Sequence, residues 1–389
     1  MYILVMEELF YEFNPWWEEK YKLIGIKRNK YLSYLERNLN NKDVILLTGL
    51  RRVGKSTLLK QLIFSLINDH NISPKKICYL SLDSFSFKEK SISDLVRIFR
   101  KINDLKINEK IYLFFDEVTY KDSFKEELKN LYDLENSKIF ATSSSASKLI
   151  DKKALLTGRS RTLEVEPLDF QEFLEFKNYN PKKSEKYLLE KHFEEYMEYG
   201  GMPEYVLTKD PEYITNLTKN IIYKDIIAKY NLRDNDAIEN LFRLLCERVG
   251  KPVSYNKLRN ILGISKNSVK NYIDYFKETY LFYTIEKDAK SLNERIVDNK
   301  KIYCADVGIK NVVTGFRDLG SIYENLVFLK IKANNPRFIR ENGIEIDFKY
   351  KDTLIEAKYN QEIKDKQKEL FDSIKLKNKI LANGVDFFI

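Results

Sequence analysis

The stretch Val44-Ile-Leu-Leu-Thr-Gly-Leu-Arg-Arg-Val-Gly-Lys-Ser-Thr57 constrains this chain more than any other. It reads as a buried strand, a loop bounded by glycines and the first turn of a helix. From Gly49 through Leu50, Arg51, Arg52, Val53, Gly54 and Lys55 to Ser56, every fixed position of G-x-x-x-x-G-K-[ST] is filled. Such a loop holds an anion because its backbone N–H groups turn inward between the glycines. The helix that starts near Lys55 adds the positive end of its dipole. Lys55 is expected to reach the β- and γ-phosphates and the Ser56 hydroxyl to ligate Mg²⁺, with Thr57 beside them in the first turn. A chance match would lack the flanks. Here Val44–Leu47 precedes the loop, and the apolar pairs Leu58-Leu59 and Leu62-Ile63 follow at helical spacing. The spacing predicts a site for ATP or GTP.

A second element points the same way. Ile111-Tyr-Leu-Phe-Phe-Asp-Glu117 is an apolar run that ends in two carboxylates. Five consecutive apolar residues suit a central parallel strand covered on both faces. Carboxylates at its C-terminal end lie where ligands bind in open α/β sheets. Asp116 is expected to hold the hydrated Mg²⁺, and Glu117 to orient the water that attacks the γ-phosphate.

The 389 residues allow two to four domains, and 43% hydrophobic with 32% charged residues is not a disordered composition. No apolar run reaches bilayer length, and the start Met1-Tyr-Ile-Leu-Val-Met-Glu-Glu is too acidic for a secretory signal. A cytoplasmic protein without a membrane partner is expected. Cys78, Cys246 and Cys304 are distant in sequence and odd in number, which argues against a disulfide framework. His70 and His192 have no cysteine at ligand spacing, so structural zinc is not expected. The net charge of +9 fits a nucleic-acid partner and equally fits a Lys-rich compositional bias.

Along the chain the pattern changes several times. Residues 1–42 hold Asn14-Pro-Trp-Trp17 and a helix over Asn29–Asn38, and are expected to dock on the core. Over residues 43–168 strands alternate with helices, which predicts a doubly wound parallel sheet. The strands are Val44–Thr48, Ile77–Leu82, Ile111–Phe115, Lys138–Thr142 and Thr162–Val165. Residues 169–234 read as an all-helical lid, with helices over Phe170–Phe176, Tyr187–Met197 and Ile214–Lys229. The breaker Tyr199-Gly-Gly-Met-Pro203 reads as a hinge or a plain turn. Residues 235–300 read as a winged helix-turn-helix, with Leu258, Ile261, Ile264, Val269, Ile273 and Phe276 as its small core. Lys266, Asn267, Lys270 and Asn271 then lie on the outer face of its third helix, where DNA contact is favoured over protein contact.

Residues 301–389 carry a different signal. In Asn342-Gly-Ile-Glu-Ile-Asp-Phe348 strict alternation puts Ile344, Ile346 and Phe348 on one face, and Glu345 and Asp347 on the other. Thr353-Leu-Ile-Glu-Ala-Lys358 is the returning strand. A register that sets Asp347 beside Glu356 makes a hard-cation site for Mg²⁺ or Mn²⁺. Lys358 could stabilise an activated water or phosphorane charge, and Glu324 could add a third carboxylate. The bland reading is an amphipathic hairpin with a solvated charged face.

Together these residues resemble archaeal and prokaryotic AAA-type ATPases that carry a C-terminal domain of the PD-(D/E)xK nuclease fold. The likeness also includes Ala141-Thr-Ser-Ser-Ser145, Gly158-Arg-Ser-Arg-Thr162, Glu166-Pro-Leu-Asp-Phe170, Tyr303-Cys-Ala-Asp-Val-Gly308 and Glu324-Asn325. It implies an α/β P-loop NTPase sheet of AAA type with a helical lid, a winged helix-turn-helix and a restriction-endonuclease-like α/β domain. With the winged-helix pattern and the Asp347, Glu356, Lys358 arrangement, the expectation is an ATPase bound to or acting on DNA, with metal-dependent DNA cleavage as a second activity and a homo-oligomer allowed. The resemblance marks Thr142 or Ser144 as a γ-phosphate sensor, and Arg159 and Arg161 as arginines that sense or complete an ATP site. This chain has Thr142-Ser-Ser where relatives often have Thr-Gly-Ser. The alternative is a nucleotide-dependent switch that binds a protein partner and whose nuclease-like domain is catalytically silent.

Overall fold

The computed structural model describes every residue except Met1, 147–154, 183–184, 290, 292, 294 and 296–298. The chain divides into two compact units, Met1–Val165 and Glu166–Ile389. Among the described residues no helix is long and apolar enough to cross a membrane.

The first unit is built on five parallel strands: β1 (Val44–Thr48), β2 (Ile77–Ser81), β3 (Ile111–Asp116), β4 (Ser137–Ser143) and β5 (Ser160–Glu164). Their spatial order is β2-β3-β4-β1-β5. β1, β3 and β4 are buried along their whole length, as their unbroken apolar runs require. The helices α1 (Tyr2–Phe13), α2 (Asn29–Arg37), α3 (Lys55–Asn68), α4 (Ile92–Ile102) and α5 (Phe124–Leu134) complete the unit. The acidic N-terminal stretch is thus part of a helix, which the sequence reading did not anticipate.

The N-terminal segment closes the exposed edge of β2. Fully buried Asn14 behaves like a short piece of neighbouring strand. Its Oδ1 accepts from Tyr79 N at 2.6 Å, and its Nδ2 donates to Tyr79 O at 3.0 Å. The Trp16 and Trp17 indoles donate to the Ile77 carbonyl at 3.4 and 2.9 Å. Unpaired edge groups invite pairing with other chains, and these side chains satisfy them.

The second unit opens with α6 (Phe170–Phe176), which Asp169 starts with a capping box. It continues through α7 (Lys186–Tyr199), α8 (Pro203–Thr208) and α9 (Pro211–Asn220). The helix expected over Ile214–Lys229 is not uniform: after Asn220 it widens into a π-helix over Ile221–Ile227. Next come α10 (Asn235–Glu247), β6 (Pro252–Val253), α11 (Tyr255–Leu262), α12 (Lys266–Glu278), β7 (Phe282–Ile285) and β8 (Lys300–Cys304). Gly263 takes the left-handed turn after α11, and the Ser265 hydroxyl caps α12. The strands form an antiparallel sheet in the order β6-β8-β7, so β8 spans the division expected at residue 300. Leu258, Val269, Ile273 and Phe276 are buried as expected. Ile261 is not; it is 57% exposed, because the face that α11 turns to α12 and the sheet runs through Leu258.

The last part holds α13 (Val307–Thr314), α14 (Leu319–Ile331), β9 (Arg337–Glu341), β10 (Ile344–Tyr350), β11 (Thr353–Lys358), α15 (Asp365–Ser373) and β12 (Asn378–Asn383). The sheet order is β12-β11-β10-β9, with β11 and β12 parallel and the other pairs antiparallel. Phe348, Ile355 and Ala357 pack with Leu326, Val327 and Phe328 of α14. Ile339, Ile346 and Leu354 pack with Phe371 of α15.

The strict alternation expected in β10 therefore fails. Ile346 and Phe348 belong to opposite cores, because the register against β9 slips by one residue between Ile346 and Lys349. The slip is a β-bulge, which inserts one unpaired residue and re-aims the side chains beside it.

Gly200-Gly201 is a packed junction rather than an open hinge. A Cβ on Gly200 would lie 2.4 Å from Asp306 Oδ1, and one on Gly201 would lie 2.1 Å from the Leu168 carbonyl. Asp306 is buried and accepts from Gly201 N at 2.6 Å and Ile309 N at 3.1 Å. Burial outweighs these backbone donors and lifts its carboxyl to about 6. A carboxyl raised in the folded state contributes its stability fully below its unfolded value, near 4, and loses it as pH rises through 6. The two-unit shift corresponds to about 3 kcal/mol. Between about pH 4 and about pH 7.5, the wild-type protein should lose about 3 kcal/mol of stability relative to Asp306→Asn, as read by urea unfolding at each pH.

Candidate nucleotide site and C-terminal acid cluster

In the first unit the loop leaves β1 at Gly49 and enters α3 at Lys55. Gly49 has φ 134°, and a Cβ there would meet the Val165 carbonyl at 2.2 Å, so this position requires glycine. Gly54 has φ 96°, and nothing lies within 4 Å of where its Cβ would stand. Lys55 is buried, and its ammonium rests on the Gly49 and Leu50 carbonyls at 2.9 and 3.0 Å. A phosphate tail in the loop would offer that ammonium a stronger, charged acceptor. Ser56 and Thr57 are half-buried in the first turn of α3, while Arg51 is half-buried and Arg52 exposed on the loop. Val53 is buried, and the guanidinium of buried Arg28 donates to its carbonyl at 2.9 Å.

Asp116 ends β3, two strands from β1 across β4. At about 4.8 Å per strand, that sets it about 10 Å from the loop strand. Its Oδ2 accepts from the Tyr79 hydroxyl at 2.8 Å, and its Oδ1 accepts from the Thr142 hydroxyl. The same Thr142 oxygen accepts from Glu117 N at 2.9 Å. Ser144 Oγ donates to Glu117 Oε1 at 2.6 Å. Glu117 takes a left-handed backbone with φ 51°, which is sparsely populated for a non-glycine residue. Burial, with the adjacent Asp116 charge adding to it, keeps the Tyr79 phenol far above its ordinary range and therefore a donor. The residues fit a nucleotide with Mg²⁺: Lys55 would meet the anion, and Ser56 and Asp116 would offer oxygen ligands.

Arg159 and Arg161 lie elsewhere. Arg161 pairs with Ile45, whereas Glu164 pairs with Thr48 beside the loop. Three residues of strand put Arg161 about 10 Å back toward the opposite end of the sheet. There it binds Asp43 at 2.6 Å, and Arg159 binds Asp133 at 3.3 Å. The structure does not bring either arginine to the loop of its own unit.

In the second unit the ladder between β10 and β11 pairs Phe348 with Ile355, which sets Asp347 opposite Glu356 as expected. The recorded pairing ends there, and the two carboxylates fill the gap. Glu356 Oε2 accepts from Asp347 N at 3.2 Å, and Asp347 Oδ2 accepts from Ala357 N at 3.1 Å. Glu356 Oε1 accepts from Lys358 at 2.6 Å and from Gln367 of α15 at 2.6 Å. Glu324, on α14, joins the cluster through a lysine absent from the sequence reading. The Lys301 ammonium lies 2.8 Å from Glu324, 2.7 Å from Glu345 and 3.1 Å from Asp347. Tyr303 also donates to Glu324, at 2.7 Å. Burial and the Asp347 charge raise the Glu324 and Glu356 carboxyls. Burial alone would pull Lys301 down, but Glu324, Tyr303, Asp347 and Glu345 together hold it well above its usual range. Among the described residues, no group of three or more His, Cys, Asp or Glu is arranged to hold a metal ion. The cluster as it stands therefore does not fit the Mg²⁺ or Mn²⁺ expected from Glu324, Asp347 and Glu356.

Tyr79, Arg28, Lys301 and Gln367 were missed from sequence. A tyrosine inside an apolar strand reads as packing, and Lys300-Lys301 at a strand start reads as a solvated pair.

Residues 41–174 match the family described as AAA domain. The uncharacterized protein MJ1544 of Methanocaldococcus jannaschii is 30% identical over 340 residues, which is 81% of this chain and 73% of that protein. The chain belongs to this family of AAA-type ATPases. An uncharacterized protein of Haemophilus influenzae is 26% identical over 378 residues, 92% of this chain and 93% of its own length. Residues 190–320 of the AAA-type chain match a Domain of unknown function (DUF8612). The Walker-type ATPase PABY2304 of Pyrococcus abyssi aligns over 77% of this chain and 99% of its own, at 17% identity and TM-score 0.45.

The Thr142 hydroxyl ties Asp116 to the Glu117 backbone, so its loss should disturb chemistry more than binding. Thr142→Val should lower ATP turnover about tenfold or more and leave affinity for a fluorescent ATP analogue within about threefold.

Proposed function

We propose that this AAA-type protein hydrolyses ATP at the Gly49–Ser56 loop and uses the cycle to change its grip on DNA. The observation that carries the hydrolytic part is the alignment of Lys55, Asp116, Thr142 and Glu117 at the C-terminal ends of β1, β3 and β4. Asp116 and Ser56 hold Mg²⁺, Glu117 orients the attacking water, and Thr142 or Ser144 reports the γ-phosphate to Glu117. Arg159 and Arg161, directed away from the loop of their own unit, serve a neighbouring copy in this reading. Turnover should fall about 100-fold or more in Lys55→Ala. A purified Lys55→Ala protein that turns over ATP at the wild-type rate would overturn the proposal.

The DNA part rests on α11 and α12 with the sheet β6-β8-β7, which we read as a winged helix. Lys266, Asn267, Lys270 and Asn271 are exposed on α12, where short polar and basic side chains suit phosphates and base edges. Phosphate contacts make affinity fall steeply with salt, by about 0.9 in logarithmic slope per contact. The double variant Lys266→Ala, Lys270→Ala should lower that slope by about 2 in fluorescence anisotropy with duplex DNA. Association with DNA whose salt slope is untouched by these changes would count against the assignment.

The second reading is a nucleotide-dependent switch that binds a protein partner through a catalytically silent C-terminal domain. The feature that favours the silent part is the Lys301 ammonium, which lies among Glu324, Glu345 and Asp347 at 2.7 to 3.1 Å. Metal-dependent cleavage by Asp347, Glu356 and Lys358 is accordingly left out of the proposed cycle. Nicking of any DNA form that Asp347→Ala abolishes would restore it.

A further inference from the structure

The acid cluster of the second unit contains its own cation. Lys301 leaves β8 with its side chain 1% exposed. Its nitrogen touches one oxygen from each of three carboxylates that come from two different elements, Glu324 on α14 and Glu345 and Asp347 on β10. A divalent ion bound by acids needs those same oxygens turned to one point at about 2.0–2.6 Å. Here they are turned to the ammonium instead. Three further oxygens also have donors: Asp347 Oδ2 has Ala357 N, Glu356 Oε2 has Asp347 N, and Glu356 Oε1 has Lys358 and Gln367.

Two ammonium groups, Lys301 and Lys358, offset two of the four carboxylate charges of Glu324, Glu345, Asp347 and Glu356. Unpaired buried charge is costly, and it is relieved by taking up protons or by a fixed counter-ion. A chain that relied on a resident Mg²⁺ would have no use for a buried lysine at the point where the acids meet.

We propose that Lys301 is the resident counter-ion of this cluster, standing where a divalent cation would stand, and that it keeps the C-terminal site closed to metal. The corollary is specific. Removing the ammonium while keeping the acids should open a cation site made of Glu324, Glu345 and Asp347. This inference concerns the second unit alone and is independent of ATP turnover.

The test uses the full-length protein without nucleotide and Mn²⁺ alone as probe, with bound ion measured by electron paramagnetic resonance. Wild-type protein should show no Mn²⁺ site that Asp347→Asn removes. Lys301→Met should gain one Mn²⁺ per chain with affinity at least about tenfold above wild type. Adding Asp347→Asn to Lys301→Met should abolish the gain. A wild-type site that is lost in Asp347→Asn would overturn the proposal, because it would mean that metal displaces the lysine. A folded Lys301→Met that takes up no more Mn²⁺ than wild type would overturn it too. Should Lys301→Met fail to fold, the comparison of wild type with Asp347→Asn decides alone, since the two outcomes there remain opposed.

Discussion

The candidate site of the first unit is organised around the two hydrogen bonds that immobilise Asp116. A carboxylate at the end of a buried strand is costly unless both oxygens have partners. Tyr79 on one neighbouring strand and Thr142 on the other provide them. Because β2, β3 and β4 are adjacent, Thr142 stands level with Asp116, and Tyr79, two residues back along β2, reaches it with its hydroxyl. Thr142 also fixes the backbone of Glu117, and Ser144 fixes its side chain. Two acids are thereby held at fixed positions, and in the proposed cycle this would lower the reorganisation that a reactive step needs.

The second unit treats its acids differently. Asp347 and Glu356 are buried and Glu324 is half-buried, and Lys301 with Lys358 gives them internal partners. Pairing of this kind is weak support for stability, since desolvation offsets most of the attraction. It does fix geometry. The lysine draws β8, α14 and β10 to one point, and the carboxylates bridge the gap where β10 and β11 part. One pair of acids is held by hydroxyl and backbone groups, and the other cluster is held by lysines.

Much of this was legible in the sequence, for physical reasons that differ by place. β1 and β3 were readable because buried strands need continuous apolar runs, and Val44–Leu47 and Ile111–Phe115 have them, whereas β5, half-exposed and without such a run, begins two residues earlier than expected. The Gly49–Ser56 loop was readable because anion binding by backbone needs glycine at fixed positions. The opposition of Asp347 and Glu356 followed from counting residues through a hairpin. What was missed depends on long-range pairing. Asn14 closing the β2 edge, Arg28 holding the Val53 carbonyl and Lys301 among the acids join segments distant in sequence. No local period announces such contacts. The exposure of Ile261 shows the other limit: helical spacing tells which residues share a face, not how wide a face the neighbours cover.

The irregularity in β10 has a consequence for comparing this chain with others. Its one surplus residue sends Phe348 toward α14 while Ile346 stays with α15. A homologous strand without the surplus would carry the counterpart of Asp347 one position out of step. Ungapped alignment through this strand would then equate a core aromatic with an acid. A homologue without the bulge would be matched correctly only with a one-residue gap between the counterparts of Ile346 and Lys349.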